Sequence, residues 1–168
     1  QTKSTNAAVF TIQESHFQKK GGTIVGAHKA LKPMMINEYS DDFELIVIEI
    51  FIGGKVIRII SGYGPQETWP ENERMPFFQA LEEEIYKAEL LGKSIIIEMD
   101  ANSKLGSEII EKDPHRQSQN GKILAGIIER HGLVVVNSLN DKCTGVITRR
   151  RVTSENVEES IIDFMITS

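Results

Sequence analysis

The sequence predicts an α/β protein with a mixed sheet or paired sheets, and three observations predict it. Four short runs rich in β-branched residues come first, at residues 8–13, 23–27, 45–52 and 56–63. Apolar residues spaced by three and four then mark a long helix over 71–91, and a strand with an apolar face follows at once at 94–99. Strands followed by interspersed helices give that class. With 168 residues and 40% hydrophobic content, the chain is long enough for one domain with a real core, and residues 1–168 are read as a single domain.

Each element has its own signal. Lys19-Lys20-Gly21-Gly22 joins the acidic segment around Glu14 almost directly to the run at 23–27. Gly53-Gly54 between the next two runs reads as a hairpin turn. The long helix carries Met75, Phe78, Leu81, Ile85 and Ala88 on one face, acids near its start and Gly92 just past its end. The strand at 94–99 has the composition of one buried on both faces and ends at Asp100. After an irregular stretch at 103–119, Ile123, Ile127 and Ile128 mark a second helix stopped by His131-Gly132. Residues 133–136, 144–148 and 160–166 read as three more strands. No repeat, low-complexity tract or linker divides the chain.

Composition excludes some classes. Charged residues make up 26%, and no stretch approaches eighteen uninterrupted apolar residues, so no membrane partner is expected and the chain should be soluble. Nothing at the start resembles a secretory signal, and a single cysteine, Cys143, allows no internal disulfide and suits a reducing compartment. A net charge of −5 argues against holding nucleic acid by bulk electrostatics, although a catalytic groove needs only locally placed cations.

Five polar residues stand at strand ends. Glu14 follows the first apolar run, and Tyr63 ends its own in Gly62-Tyr63-Gly64-Pro65. Asp100 and Asn102 sit two apart beyond the 94–99 strand, where alternate side chains could share a cleft, or where Asx residues could simply make a turn. Asp163 lies inside an apolar strand and is the hardest of the five to explain as structure, because a buried carboxylate costs several kcal/mol, roughly, unless paired.

Together the Gln13-Glu14-Ser15 strand end, the Tyr63-Gly64-Pro65 turn, Asp100-Ala101-Asn102 and Ser160-Ile161-Ile162-Asp163 resemble the motifs of the endonuclease/exonuclease/phosphatase family, in its order and approximate spacing. The spacers resemble its non-LTR retrotransposon branch, including Asn120-Gly121, Gly132 through Asn137, and 144–150 as its Thr-x-Thr-Arg segment. The resemblance implies a four-layered, DNase I-like α/β sandwich of two packed mixed sheets flanked by helices, without the family's first and last strands. It implies a metal-dependent endonuclease that nicks DNA to prime reverse transcription. The alternatives are a phosphatase or repair nuclease on the same fold, or a catalytically dead remnant serving as a binding or structural module. Glu14 would bind Mg²⁺ (Mn²⁺ in its place), Asp100 would hold or deprotonate the attacking water, and Asn102 would hydrogen-bond the phosphate. Tyr63 would donate to the developing charge, and Asp163 would orient a histidine. That histidine belongs to a Ser-Asp-His motif after the Asp163 strand, and an Asn belongs to an opening strand. Neither is among these residues, so the chain is expected to be truncated at both ends and 1–168 alone to show little activity.

For DNA the resemblance points to Thr144, Thr148, Arg149 and Arg150, with Arg151 beside them, since guanidinium forks suit phosphates. A run of three basic residues is also what a solvated face looks like. His115, in the irregular segment, is expected to reach the cleft if any histidine replaces the missing one. Met99 stands where the family has Gly and is expected to narrow the approach to Asp100, while Glu98 is expected to face away from it. The expected partners are DNA and the reverse transcriptase region of a parent polyprotein, and the location intracellular, nuclear when acting on host DNA.

Overall fold

The computed structural model describes residues 9–12, 23–39, 43–139, 147–152 and 157–168. In chain order these form β1 (Val9–Ile12), β2 (Ile24–Ala27), β3 (Met34–Tyr39), β4 (Glu44–Ile52), β5 (Lys55–Tyr63), α1 (Glu71–Leu90), β6 (Ser94–Asp100), α2 (Gln119–Arg130), β7 (Val134–Val135), β8 (Arg149–Val152), β9 (Val157–Ser160) and β10 (Asp163–Thr167). Six strands make one mixed sheet in the order β3-β4-β5-β6-β10-β7. Neighbours are antiparallel except β5 and β6, which run parallel and are joined through α1. β1-β2 and β8-β9 are separate antiparallel ribbons.

Side-chain alternation gives the large sheet two apolar faces. Leu45, Val47, Ile60, Ile95, Ile97, Phe164 and Ile166 face α1 and α2 and pack with Phe77, Leu81, Ile85, Leu124 and Ile127. Each fully buried side chain of this size contributes roughly 1.5–3 kcal/mol. On the opposite face Ile48, Ile50 and Ile59 pack with Val9, Val25 and Ala27 of the β1-β2 ribbon. Helices, sheet and ribbon are thus stacked in three layers among the described residues.

α1 starts after Pro70, carries Glu71 and Glu73 in its first turn, and hands over to Gly92 at φ 62°. α2 is capped by Ser118, whose hydroxyl accepts from Gly121 N–H at 3.2 Å. A buried ionic cluster fixes α1 to the sheet: Arg58 of β5 bridges Glu49 of β4 at 2.7 Å and Glu84 of α1 at 3.0 Å.

Four elements differ from the sequence reading. The run expected as one strand at 160–166 is split: Ser160 ends β9, Ile161 and Ile162 are in no strand, and Asp163, expected inside the strand, opens β10 and is only partly buried. β3, an edge strand with Met34, Met35 and Ile36 exposed and a register shift between Met35 and Asn37, lacks the apolar alternation that marks a half-buried strand. β9, Val-Glu-Glu-Ser, is charged on an exposed ribbon. The strand expected at 144–148 begins only at Arg149; residues 144–146 lie outside the described ones, and Ile147 and Thr148 are not in a strand. No described helix is long and apolar enough to cross a membrane.

Candidate active site

The parallel strands β5 and β6 end side by side, and β10 begins beside them. Their registers align Glu44 with Tyr63, Tyr63 with Asp100, and Asp100 with Asp163, so four strands place these residues in one row. Residues opposite one another on neighbouring strands share a face, here the one the β1-β2 ribbon packs on. The ends of parallel strands are where α/β sheets leave a crevice, and a cleft of about 740 Å³ opens over this row. Tyr63, Asp100, Asn102, Thr148, Arg149 and Asp163 all line it.

Close backbone packing holds the row. Gly64 N–H donates to the Asp100 carbonyl at 2.7 Å, and a Cβ on Gly64 would stand 2.5 Å from the Ala101 oxygen, so Tyr63 can leave β5 in this direction only because glycine follows it. Asn102 has φ 44°, a left-handed value that asparagine tolerates. Its N–H donates to Asp100 Oδ1 at 2.9 Å, and its Nδ2 donates to the Gly64 carbonyl at 2.8 Å. The Asx-turn reading of Asp100 and the shared-cleft reading are therefore both realised.

Below this loop, Lys104 N–H donates to the Ser118 hydroxyl at 3.0 Å, and a Cβ on Gly121 would stand 1.9 Å from the Lys104 oxygen. Buried Asn120 accepts from Arg74 and donates to the Pro65 carbonyl at 2.8 Å. The start of α2 thereby braces both loops that carry the row. Lys104 and Ser118 also line the cleft, as does Glu67, whose carboxylate accepts from Asn120 N–H at 3.1 Å. None of these three was singled out from sequence; the Asn120-Gly121 pair was the only hint.

Thr148 has a structural task as well as a place in the cleft. Its hydroxyl oxygen accepts from Ile162 N–H at 3.0 Å and Asp163 N–H at 3.1 Å. A hydroxyl has two lone pairs and one proton, so with both pairs engaged it is left to act as a donor. Arg149 has no ion-pair partner among the described residues, while Arg150 lies off the cleft with Nε 3.3 Å from Glu159. Glu14 and Thr144 lie outside the described residues.

Three expectations are corrected. Glu98 does not face away from Asp100: positions two apart on a strand share a face, and Glu98 accepts from the Thr11 hydroxyl of β1 at 2.8 Å, one rung below the row. Met99 does not narrow the cleft, because alternation turns it into the helix-facing core, where it is 2% exposed. His115 does not line the cleft either; its Nδ1 lies 3.2 Å from Asp113 Oδ1, and its N–H donates to the same oxygen.

No protein-family profile matches the sequence, and no curated protein does. Solved structures do match in fold. The endonuclease domain of TRAS1, a telomere-specific non-LTR retrotransposon, aligns with a TM-score of 0.59 at 18% identity, covering 96% of this chain and 68% of that one. TDP2 from D. rerio, in complex with a single-strand DNA product, gives 0.57 at 12% identity over 95% of this chain and 62% of that one. TDP2 from C. elegans gives 0.58 at 12% identity over 95% of this chain and 48% of that one. The fold is the DNase I-like α/β fold that the sequence motifs resemble, and the chain spans between about half and two thirds of the lengths of these structures.

Proposed function

We propose that the chain is a divalent-metal-dependent phosphodiesterase that nicks DNA, leaving a 3′ hydroxyl from which reverse transcription is primed. The single observation that carries this reading is the row Tyr63, Asp100, Asp163, with Asn102 beside it, converging on one cleft from three strands and a loop. Among the described residues lining that cleft, Lys104 and Arg149 are cations and the groups able to ligate a metal are oxygen donors with no sulfur or imidazole, which suits a hard cation such as Mg²⁺ or Mn²⁺. Among the described residues no group of three or more His, Cys, Asp or Glu could enclose an ion. Mg²⁺ does not require one, since it keeps several waters and takes one or two carboxylates with substrate phosphate oxygens.

In this reading Glu14 holds the ion, which when bound supplies positive charge to the scissile phosphate. Asp100 takes the proton of the attacking water. Asn102 has committed one amide N–H to Gly64 and offers the other to a phosphate oxygen. The Tyr63 phenol donates to the charge that develops in the transition state, and Asp163 orients a histidine against the phosphate. Thr144, Thr148, Arg149 and Arg150 hold the flanking DNA backbone. The setting is intracellular, nuclear when host DNA is the target, with a reverse transcriptase region in the same polyprotein.

The test is conversion of supercoiled plasmid to open circle by the full natural chain that carries these residues. Nicking should require Mg²⁺ or Mn²⁺, stop on chelation, and fall by at least about 10²-fold in Asp100→Ala and Glu14→Ala variants that keep their fold. Unchanged nicking in both variants refutes the assigned roles. DNA binding without nicking by the wild type would instead support a non-catalytic module.

A further inference from the structure

β10 is supported unequally along its two edges. β6 pairs with its whole length, from Asp163 to Thr167, whereas β7 reaches only Ile166 and Thr167. Among the described residues, no strand pairs with the rest of that outer edge beside Asp163. Unpaired backbone groups are costly when buried and leave a strand end free to fray when exposed.

Asn137 takes the place of the missing strand. It lies in the 3₁₀ turn Val136–Ser138 that leads out of β7. Its Oδ1 accepts from Met165 N–H at 2.9 Å, and its Nδ2 donates to the Asp163 carbonyl at 3.2 Å. A side-chain amide carries a donor and an acceptor side by side, as a strand residue does, so one asparagine adds one rung to the sheet. On the same outer edge, Asp163 N–H is held by the Thr148 hydroxyl. Both backbone groups of Asp163 are thus tied to side chains from outside its sheet partner, at the residue where β10 enters the cleft.

We infer that Asn137 is a positioning residue for Asp163: it fixes the backbone from which the Asp163 carboxylate projects into the row with Asp100. This rests on the proposed role of Asp163 in phosphodiester cleavage. Both hydrogen bonds of the Asn137 amide go to backbone groups of β10, and Asn137 is not among the buried core residues, so its loss removes orientation and leaves the packed core intact. Displacing a reacting group by about 1 Å from a distance can cost on the order of 10²-fold in rate.

The experiment compares Asn137→Ala and Asn137→Asp with wild type in the full natural chain. It measures Mg²⁺-dependent nicking kinetics, the thermal midpoint and amide hydrogen exchange at Met165. Alanine removes both bonds. Aspartate keeps the acceptor for Met165 N–H but cannot donate to the Asp163 carbonyl, so it isolates the contact that matters. Both variants should lose roughly 10- to 100-fold in kcat, with KM for DNA nearly unchanged and the midpoint within about 4 °C of wild type. Exchange at Met165 should accelerate in the alanine variant and stay slow in the aspartate variant. A kcat within about twofold of wild type in both variants, with wild type active, overturns the positioning role alone. A kcat loss that only tracks a collapse of the thermal midpoint overturns it too. Absence of nicking by wild type removes the proposed function and this role with it, while Met165 exchange still reports whether the clamp exists.

Discussion

Arg58→Met tests how the helix layer is held to the sheet. The Arg58 side chain is 4% exposed and donates to Glu49 Oε1 through Nε at 3.0 Å and Nη2 at 2.7 Å, and to Glu84 Oε2 through Nη1 at 3.0 Å. Methionine fills much of the volume without the charge, so what is lost is chiefly electrostatic. Removing one partner of a buried ion pair costs roughly 3–5 kcal/mol, because the other charge is left uncompensated. Here each carboxylate keeps a lysine, Lys93 for Glu49 at 2.7 Å and Lys87 for Glu84 at 3.0 Å, which puts the cost at the low end, about 3 kcal/mol. For a domain of this size that lowers the thermal midpoint by roughly 6–12 °C. The pH dependence has a definite sign. Burial raises the pKa of both carboxyls, yet hydrogen bonds from Lys93 and Arg58 to Glu49, and from Lys87, Asn37 and Tyr39 to Glu84, hold them below the usual 4.5. Their ionised forms therefore stabilise the fold above pH 4.5, and that contribution is lost as pH falls through the lower folded values. The gap between wild type and Arg58→Met should be full at neutral pH and shrink in acid, where the carboxyls no longer need the guanidinium. Calorimetry across that range decides it. A penalty below about 1 kcal/mol at neutral pH, or one that does not change in acid, would refute the reasoning.

Gly121→Ala places a methyl 1.9 Å from the Lys104 carbonyl oxygen and must displace the loop that carries Asn102. It should cost 1–3 kcal/mol or somewhat more, roughly, in a denaturant melt and reduce nicking as well. Ser61→Ala should be neutral or slightly stabilising by the same melt, by about 1 kcal/mol at most, because the Ser61 hydroxyl is fully buried with no hydrogen-bond partner among the described residues. A destabilisation well beyond that would mean the hydroxyl bonds to something in solution.

Period and punctuation made the central strands, both helices and the row of Tyr63, Asp100 and Asp163 legible. β5 and β6 are apolar runs that stop at a tyrosine and an aspartate, and an acid at the start of β10 has no reason to be there unless something uses or pairs it. The misreading of Glu98 was an error of counting, since the period of two that set Asp100 in the cleft sets Glu98 on the same face. β3 and β9 escaped for a physical reason: an edge strand and an exposed ribbon have no continuous buried face, so no apolar alternation is written into them. The least legible residues are those that act on the backbone. A carboxylate in a strand announces itself, because burying it alone is expensive. Asn137, which completes a strand, and Gly121, which lets a carbonyl come close, look like any turn residues, because what each satisfies is a main-chain group supplied by a distant part of the chain. Only the register of β7 against β10, two residue pairs long, reveals that a rung was missing for Asn137 to supply.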